Sequence, residues 1–346
     1  MTLQYNDIDD AVLLTQEMLV QRGAFLDLQT DLTDHVAVRE MWMNRKKKFG
    51  GGNDWEFQAQ VDHNYSARVV GLYETDGSSL TDSMITGQVR PRHINAHYIY
   101  DQKEPAFQKG GVQIVDLVKT RYVGMMVSMY ELMETILWGK PTTSADTKTP
   151  FGIEYWVTKG TSGQEGFYGL NPSGFSAGRA GIDSSTYGRW ANWFADYTAI
   201  EKNDLIRKMR KGHRNTQFRS VVSHAQPTLG PMRNGIYTND AVIGIMEELL
   251  EDQNMNLGKD LDSMGGRTLF KNTPITYAPK LDADTENPVY MLDWQWLAIG
   301  VLPGWENQLT KPYMVPNKHL VRRVDLDCTL NMVCTNLRKQ SVFAQV

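Results

Sequence analysis

Five groups of residues in this chain have types and spacings that could carry chemistry. His93 and His97 stand four apart, which on a helix would turn both imidazoles toward one metal ion. Around them the pattern has period two, with Pro91 nearby, so both rings fall on one face of a strand. No acidic residue completes a ligand set by spacing, and a structural role is expected. Cys328 and Cys334 share strand parity, but their separation suits neither Cys-x-x-Cys redox chemistry nor zinc. They read as small buried apolar residues. Gly163, Gly166 and Gly169 form Gly-x-x-Gly-x-x-Gly, which is not the dinucleotide spacing and lacks the Gly-Lys-Ser/Thr of a phosphate loop. Close-packed or flexible backbone is expected there. Asp282, Asp284 and Glu286 alternate like calcium ligands, yet Asn287 stands where an EF-hand needs glycine and Asp293 where it needs glutamate. An acidic loop before Pro288 is the better reading. Finally, Lys202, Arg207, Lys208, Arg210, Lys211, Arg214 and Arg219 make one helical stretch basic. Phosphate contact there competes with a solvated or interface face, because Leu205, Ile206 and Met209 give the same stretch an apolar stripe. There is no Gly-x-Ser-x-Gly elbow and no His-Glu-x-x-His. Neither an enzyme nor a cofactor is expected.

Composition narrows the class. The chain has 346 residues, 41% hydrophobic and 22% charged, which is globular composition with room for more than one packed unit. Its formal charge of -4 argues against a wholly basic nucleic-acid binder, leaving only local patches. Two cysteines cannot staple a disulfide scaffold and fit a reducing compartment. The first residues have no basic flank or apolar core, so no secretion signal is expected. Val112–Trp138 is the most apolar long stretch, but Asp116, Lys119, Arg121, Glu131 and Glu134 exclude it as a membrane span. The expectation is a soluble protein or part of a soluble assembly.

The elements that would position these residues follow from periodicity. Residues 9–22, capped by Asp9 or Asp10, read as a weakly amphipathic helix within an arm too poor in apolar residues to form a core alone. Arg45-Lys-Lys-Lys-Phe-Gly-Gly-Gly-Asn53 reads as a solvated basic hinge. From Trp55 the period is two, and Asp76-Gly77 supplies a hairpin turn. A return strand from Val89 to Tyr100 places Ile94, Ala96, Tyr98 and Tyr100 on one face. Residues 53–104 thus read as one hairpin with arms on the order of 60 Å long. An isolated two-stranded ribbon is marginal in water, so support from a second copy is expected. Steps of three and four through Val115, Val118, Tyr122, Met126, Met129, Met133 and Leu137 predict a helix over 112–138, stopped by Gly139 and Pro141. Beyond it the sequence predicts a strand at 153–157, a glycine-rich irregular stretch at 160–188, and a helix at 201–216 capped by Asn203. Helices follow at 241–250 and 257–264, strands at 274–278 and 289–292, and two C-terminal strands within 318–344.

Several strings, in order along most of the chain, sharpen this picture: Gly166-Phe-Tyr-Gly-Leu-Asn-Pro-Ser-Gly-Phe175, Ala180-Gly-Ile-Asp183, Arg189-Trp-Ala-Asn192, Asn203-Asp-Leu-Ile-Arg-Lys-Met209, Tyr237-Thr-Asn239, Asp252-Gln-Asn254 with Leu257-Gly258, and Asn287-Pro-Val-Tyr-Met-Leu-Asp-Trp294. In these the chain resembles the major capsid proteins of tailed double-stranded DNA bacteriophages. The resemblance implies an α+β fold of the Hong Kong 97 type, with an N-terminal arm at 1–45, an extended loop at 46–105 and a peripheral domain at 106–219 whose spine is the helix 112–138. The division of 141–219 between domains stays open. An axial domain at 220–300 and a return to the peripheral domain at 301–346 complete the expectation.

The resemblance further implies self-assembly into pentamers and hexamers, a virion location after assembly in the host cytoplasm, and packaged double-stranded DNA on the inner face. Scaffolding, portal and cement or decoration proteins would be partners, and no membrane. Trp55, Phe57, Tyr73, Asp76, Gly77, Ile94 and Tyr98 of the extended loop would face a neighbouring subunit. Lys46, Lys47, Lys48, Arg207, Lys208 and Arg210 are candidate contacts to DNA or scaffold. The type member cross-links a loop lysine to an asparagine. Residues 70–90 contain no lysine here, so no such cross-link is expected. An encapsulin-type shell is the alternative of the same fold, and a nucleic-acid-binding oligomer acting through 202–219 the alternative of another class.

Overall fold

The computed structural model describes residues 35–43, 46–50, 52, 54–62, 67, 69–72, 84–104, 111–218, 234–254, 268–271 and 273–346, with backbone alone for 43, 111–119 and 250–254. The expected helices at 9–22 and 257–264 and the hairpin tip fall outside the described residues.

The elements, in order, are a π-helical turn Val38–Met43, β1 Lys46–Lys48, β2 Trp55–Gln60, β3 Met84–Val89, β4 Arg92–Asp101, α1 Gly111–Trp138, the short α2 Ile153–Trp156, β5 Glu165–Gly166 and β6 Trp193–Asp196. Then come α3 Leu205–Asn215, β7 Asn234–Thr238, α4 Asp240–Asn254, β8 Leu269–Phe270, β9 Thr273–Tyr277, a 3₁₀ turn Pro279–Ala283, β10 Val289–Asp293 and β11 Leu297–Val301. β12 Gln308–Leu309, β13 Tyr313–Met314, β14 Val321–Cys334, a 3₁₀ turn Leu337–Lys339 and β15 Ser341–Ala344 end the chain. No helix among the described residues is long and apolar enough to cross a membrane.

Two larger sheets and one ribbon organise these pieces. In the six-stranded sheet β14 is the central strand. Ten of its residues pair antiparallel with β4, from Val321 opposite Asp101 to Leu330 opposite Arg92, and its other edge takes β11, β12 and β13. Its even-numbered residues Val324, Leu326, Cys328, Leu330, Met332 and Cys334 carry apolar side chains into the core, and from Cys328 to Cys334 the strand is buried on both faces. Burial pushes both thiols up to about 12, as expected of small apolar fillers. The seven-stranded sheet runs β5-β6-β15-β10-β7-β9-β8. Successive residues of its strands point into two different cores. Tyr237, Tyr290 and Leu292 join the main one, while Ile236, Val289, Met291 and Phe343 join a second one closed by Leu205 and Met209 of α3 and Val242 and Met246 of α4.

α1 is the strut between the sheets. Its described half buries Tyr122, Met125, Met126, Met129, Met133 and Leu137. At its end Trp138 meets Tyr237 and Tyr290 of the seven-stranded sheet at ring distances of 5.7 and 6.0 Å. The unbranched methionines let a helix of this length fit the irregular surface between two sheets.

Several expectations are corrected. The return strand of the hairpin is β3, not Val89–Tyr100: Trp55 pairs with Val89 and Gln60 with Met84. Residues 92–101 pair instead with β14, because an alternating strand records which face is apolar but not which partner it joins. The paired ribbon is therefore six residues long, about 20 Å, not a sixty-ångström arm. The basic hinge contains strand β1, parallel to β11; a lysine-rich segment suits a sheet edge, where charge blocks further pairing. Residues 153–157 form a helical turn rather than a strand, since the Phe151, Tyr155, Trp156 and Phe175 rings pack together and tertiary packing overrides the β propensity of so short a run. The residue that precedes α3 is Asp204, not Asn203; its carboxylate accepts from the Thr198 and Ala199 N–H groups at 2.7 and 3.0 Å and pairs with Lys208 at 2.6 Å. β11 lies with β14, and β15 lies between β6 and β10.

Candidate assembly surfaces

The ribbon β2–β3 has a buried base and an exposed far side. Trp55, 3% exposed, stacks on Phe49 at 4.9 Å and lies flat across Gly300, where an added Cβ would come within 2.5 Å of the indole. Phe57 crosses Gly87 equally closely and approaches Trp190 at 6.0 Å and Trp156 at 6.4 Å. The Gln88 N–H donates to the Ala180 carbonyl at 3.0 Å, and Asp54 pairs with Arg90 at 2.9 Å. Val61, just past β2, is still buried, but several apolar groups at the start of β3 and in the connection between the strands are exposed. Met84 is 51% exposed, Val70 54%, Leu72 97% and Val69 99%. Singly exposed apolar residues are ordinary, whereas Val69, Val70 and Leu72 form a short exposed apolar run.

This geometry redistributes the residues expected to face a neighbour. Trp55, Ile94 and Tyr98 are buried in the chain's own core, and Phe57 is half-buried against it. Their apolarity is spent within the subunit, which corrects the expectation that they form an intersubunit surface. Tyr73, Asp76 and Gly77 lie outside the described residues. Val69, Val70, Leu72 and Met84 were missed. Their signal was present in apolar residues flanking the Asp-Gly turn, and it was obscured by assigning the return strand too late.

The basic candidates separate in the same way. Lys46 pairs with Glu306 and stands over the Trp42 ring at 4.4 Å, and Lys48 reaches the same carboxylate at 4.0 Å. Lys47 is exposed. On α3, Lys208 pairs with Asp204 and Lys211 with Glu165 at 3.1 Å, whereas Arg207, Arg210 and Arg214 are exposed with no ion pair among the described residues. The structure therefore does not bring Lys46–Lys48 and α3 into one element; they belong to different sheets' borders.

The remaining sequence clusters resolve locally. His93 and His97 project from the exposed face of β4; His93 Nδ1 lies 2.8 Å from Thr329 Oγ1, and His97 stands opposite Asp325. Asp284 and Glu286 both pair with Lys159, the latter at 2.6 Å, while Asp282 accepts from the Asp240 N–H and the Tyr277 hydroxyl. Gly169 is packed so closely that a Cβ would overlap Asn192, and Gly163 takes φ +77°. Among the described residues no cluster of three or more His, Cys, Asp or Glu side chains could hold a metal.

Two buried charges were not legible as site residues. Glu134, fully buried on α1, accepts from the Ala37 and Val38 N–H groups at 3.1 and 2.9 Å and from Trp138 Nε1 at 2.7 Å. It ties the start of the π-helical stretch to the strut, serving backbone donors that a helix start leaves unpaired. Arg179, fully buried, donates to the Leu170 carbonyl at 2.6 Å and to Asn192 Oδ1 at 3.0 Å. Burial lowers its pKa to about 10. It holds the glycine-rich stretch together from within, below the Ala180 carbonyl that receives the ribbon.

A strut helix joining two sheets, with a ribbon anchored at one end and apolar at the other, is the α+β capsid fold of the Hong Kong 97 type. The cyanophage A-1(L) capsid chain matches it at TM-score 0.63 over 90% of this chain and 93% of that one, at 14% identity. The capsid chain of the empty GTA particle matches at TM-score 0.54 over 89% and 95%, at 9% identity, and that of the native GTA particle at 0.52 over 90% of each, at 10% identity. No family model matches the sequence, and no curated protein does.

Proposed function

We propose that this chain is the major capsid protein of a tailed double-stranded DNA bacteriophage: a structural subunit that builds pentamers and hexamers of an icosahedral shell. One observation carries the reading. A correspondence with a capsid chain spans nine-tenths of both molecules, and this subunit leaves apolar groups at Val69, Leu72 and Met84 uncovered. Neighbouring subunits supply the cover, and many modest contacts repeated round a closed shell give it persistence. The sheet bearing α3 and α4 lies toward the symmetry axes, and the six-stranded sheet with α1 forms the periphery. Packaged DNA, a scaffold, a portal and a cement protein are the partners this role requires, in a virion assembled in the host cytoplasm.

Purified protein imaged by negative-stain electron microscopy is expected to contain closed particles, and those particles, boiled in denaturant, to run as a single monomer band. A protein that stays monomeric under all assembly conditions overturns the proposal. Particles that contain protein cargo and no nucleic acid when isolated from their host turn it into the encapsulin alternative.

A further inference from the structure

The second core is roofed by two helices of opposite charge. α3 carries Arg207, Lys208, Arg210, Lys211 and Arg214 and no acid; α4 carries Asp240, Glu247, Glu248, Glu251 and Asp252 and no base. Both lie on one face of the seven-stranded sheet: α3 packs over β6 and β15 and α4 over β9, with β10 and β7 between them in strand order. No ion pair joins the two helices among the described residues. Among the described residues, Arg207, Arg210 and Arg214 have no carboxylate partner, and Glu247 receives only the Thr268 hydroxyl, at 3.2 Å.

The cations are crowded together instead. Lys271, on the turn after β8, is held below its usual pKa by burial and then by the positive charges of Arg214 and Arg210. The neighbouring His213 is lowered by burial and by Lys271. Packing like charges costs stability unless an anion meets them. The acidic side also offers apolar groups: Ile245 of α4 and Tyr277 of β9 are exposed among the carboxylates.

We infer that the α3 face, centred on Arg207, Arg210 and Arg214, receives the acidic α4 face of a second copy of this chain, with Ile245 and Tyr277 at the contact. The two patches are different surfaces of one molecule, so the contact is head-to-tail and closes into a ring when its rotation divides the circle. It rests on the shell proposal for its place, round the axis of a pentamer or hexamer, but it is a pairing of named surfaces that stands or falls separately. Charge complementarity favours a second copy over DNA, because α4 supplies the complement within the same sequence.

The test uses full-length chains with α3 reversed (R207E, R210E and R214E together), with α4 reversed (E247K and E248K), and with both sets in one chain. Each single set is expected to cut the yield of closed particles at least tenfold while thermal melting of the monomer stays near that of the unaltered protein. Both sets in one chain restore particles. Mixing the two singly reversed proteins lets unlike chains alternate, so even-membered rings form without five-membered ones and no shell closes. Self-association of the unaltered protein, followed by sedimentation, weakens as salt rises from about 0.05 to 0.5 M. Particles at full yield from the α3-reversed chain overturn the contact, and full yield with loss of packaged nucleic acid assigns α3 to DNA instead. If the unaltered protein builds no shell, the shell reading fails, while salt-sensitive association abolished by either reversal still upholds the contact. Salt-independent association that neither reversal changes overturns it.

Discussion

The β2–β3 ribbon and the connection between its strands both carry large apolar residues, and these differ sharply in exposure. At the base, Trp55 and Val89 are paired and buried, 3% and 0% exposed, and Trp55 stacks on Phe49 over the backbone of Gly300 in β11. At the far side, Leu72 and Val69 are almost fully in solvent. The base is held by contacts within one chain, whereas Val69 and Leu72 are exposed apolar groups. The buried stretch runs through Ala59 and Val61, whereas Val69, Leu72 and Met84 are exposed.

Breaking the base should have the largest effect. Trp55→Ala removes the indole that fills the space between Phe49 and Gly300, and a large-to-small change of this kind costs about 3–5 kcal/mol. Denaturant unfolding of the monomer measures it. A loss below about 1 kcal/mol, within the range of surface substitutions, would mean that the base is not anchored as described.

Breaking the far side should do the reverse. Leu72→Asp changes a residue that the subunit leaves exposed, so monomer stability stays within about 0.5 kcal/mol. Each contact that buries leucine against a neighbour loses about 1.5–3 kcal/mol, repeated over every copy in a shell. The expected result is unchanged melting of the monomer with a higher protein concentration needed for particles. Equal effects of the two substitutions on the monomer would erase the distinction between the two ends.

What the sequence revealed divides along similar lines. The strut was legible as 112–138 and is observed as 111–138, because a helix states its own burial through a period of three and four. The apolar face of β4 was legible too, but its partner β14 was not. Alternation is a property of one strand, whereas pairing across more than two hundred residues depends on which apolar edge reaches it first in three dimensions. The lysines of β1 look like a hinge because propensity assigns them to solvent, and only the neighbouring edge of β11 makes them a strand. Of the proposed interface, the exposed cations of α3 were named from sequence. The valines and leucine of the ribbon were missed, because an apolar residue reads as core until a structure shows what covers it. Glu134 and Arg179 were illegible as anchors for a related reason: a charged residue is read as solvated until the backbone groups that it serves are seen.

The smallest effect concerns the support beneath the base. Asp183 accepts from the Ser185 hydroxyl and backbone, from Asn171 and from Thr186, and these hydrogen bonds, Ser185 first, hold its carboxyl well below the usual carboxylate range. The turn it closes follows Ala180, whose carbonyl receives the ribbon through Gln88. A carboxyl with a depressed folded pKa contributes stability that is present above its unfolded value of about 3.9 and is lost as pH falls through the folded value. Acid should therefore loosen this turn and the base it supports, while Val69 and Leu72, which do not titrate, respond only through neighbouring subunits. Asp183→Asn should lower monomer stability slightly at neutral pH and remove part of its decline on acidification, and the carboxyl carbon of Asp183, followed by NMR, should titrate below about pH 3.9. A midpoint at or above that value would show that the turn makes no such hydrogen bonds in solution and that the base of the ribbon is held by its aromatic packing alone.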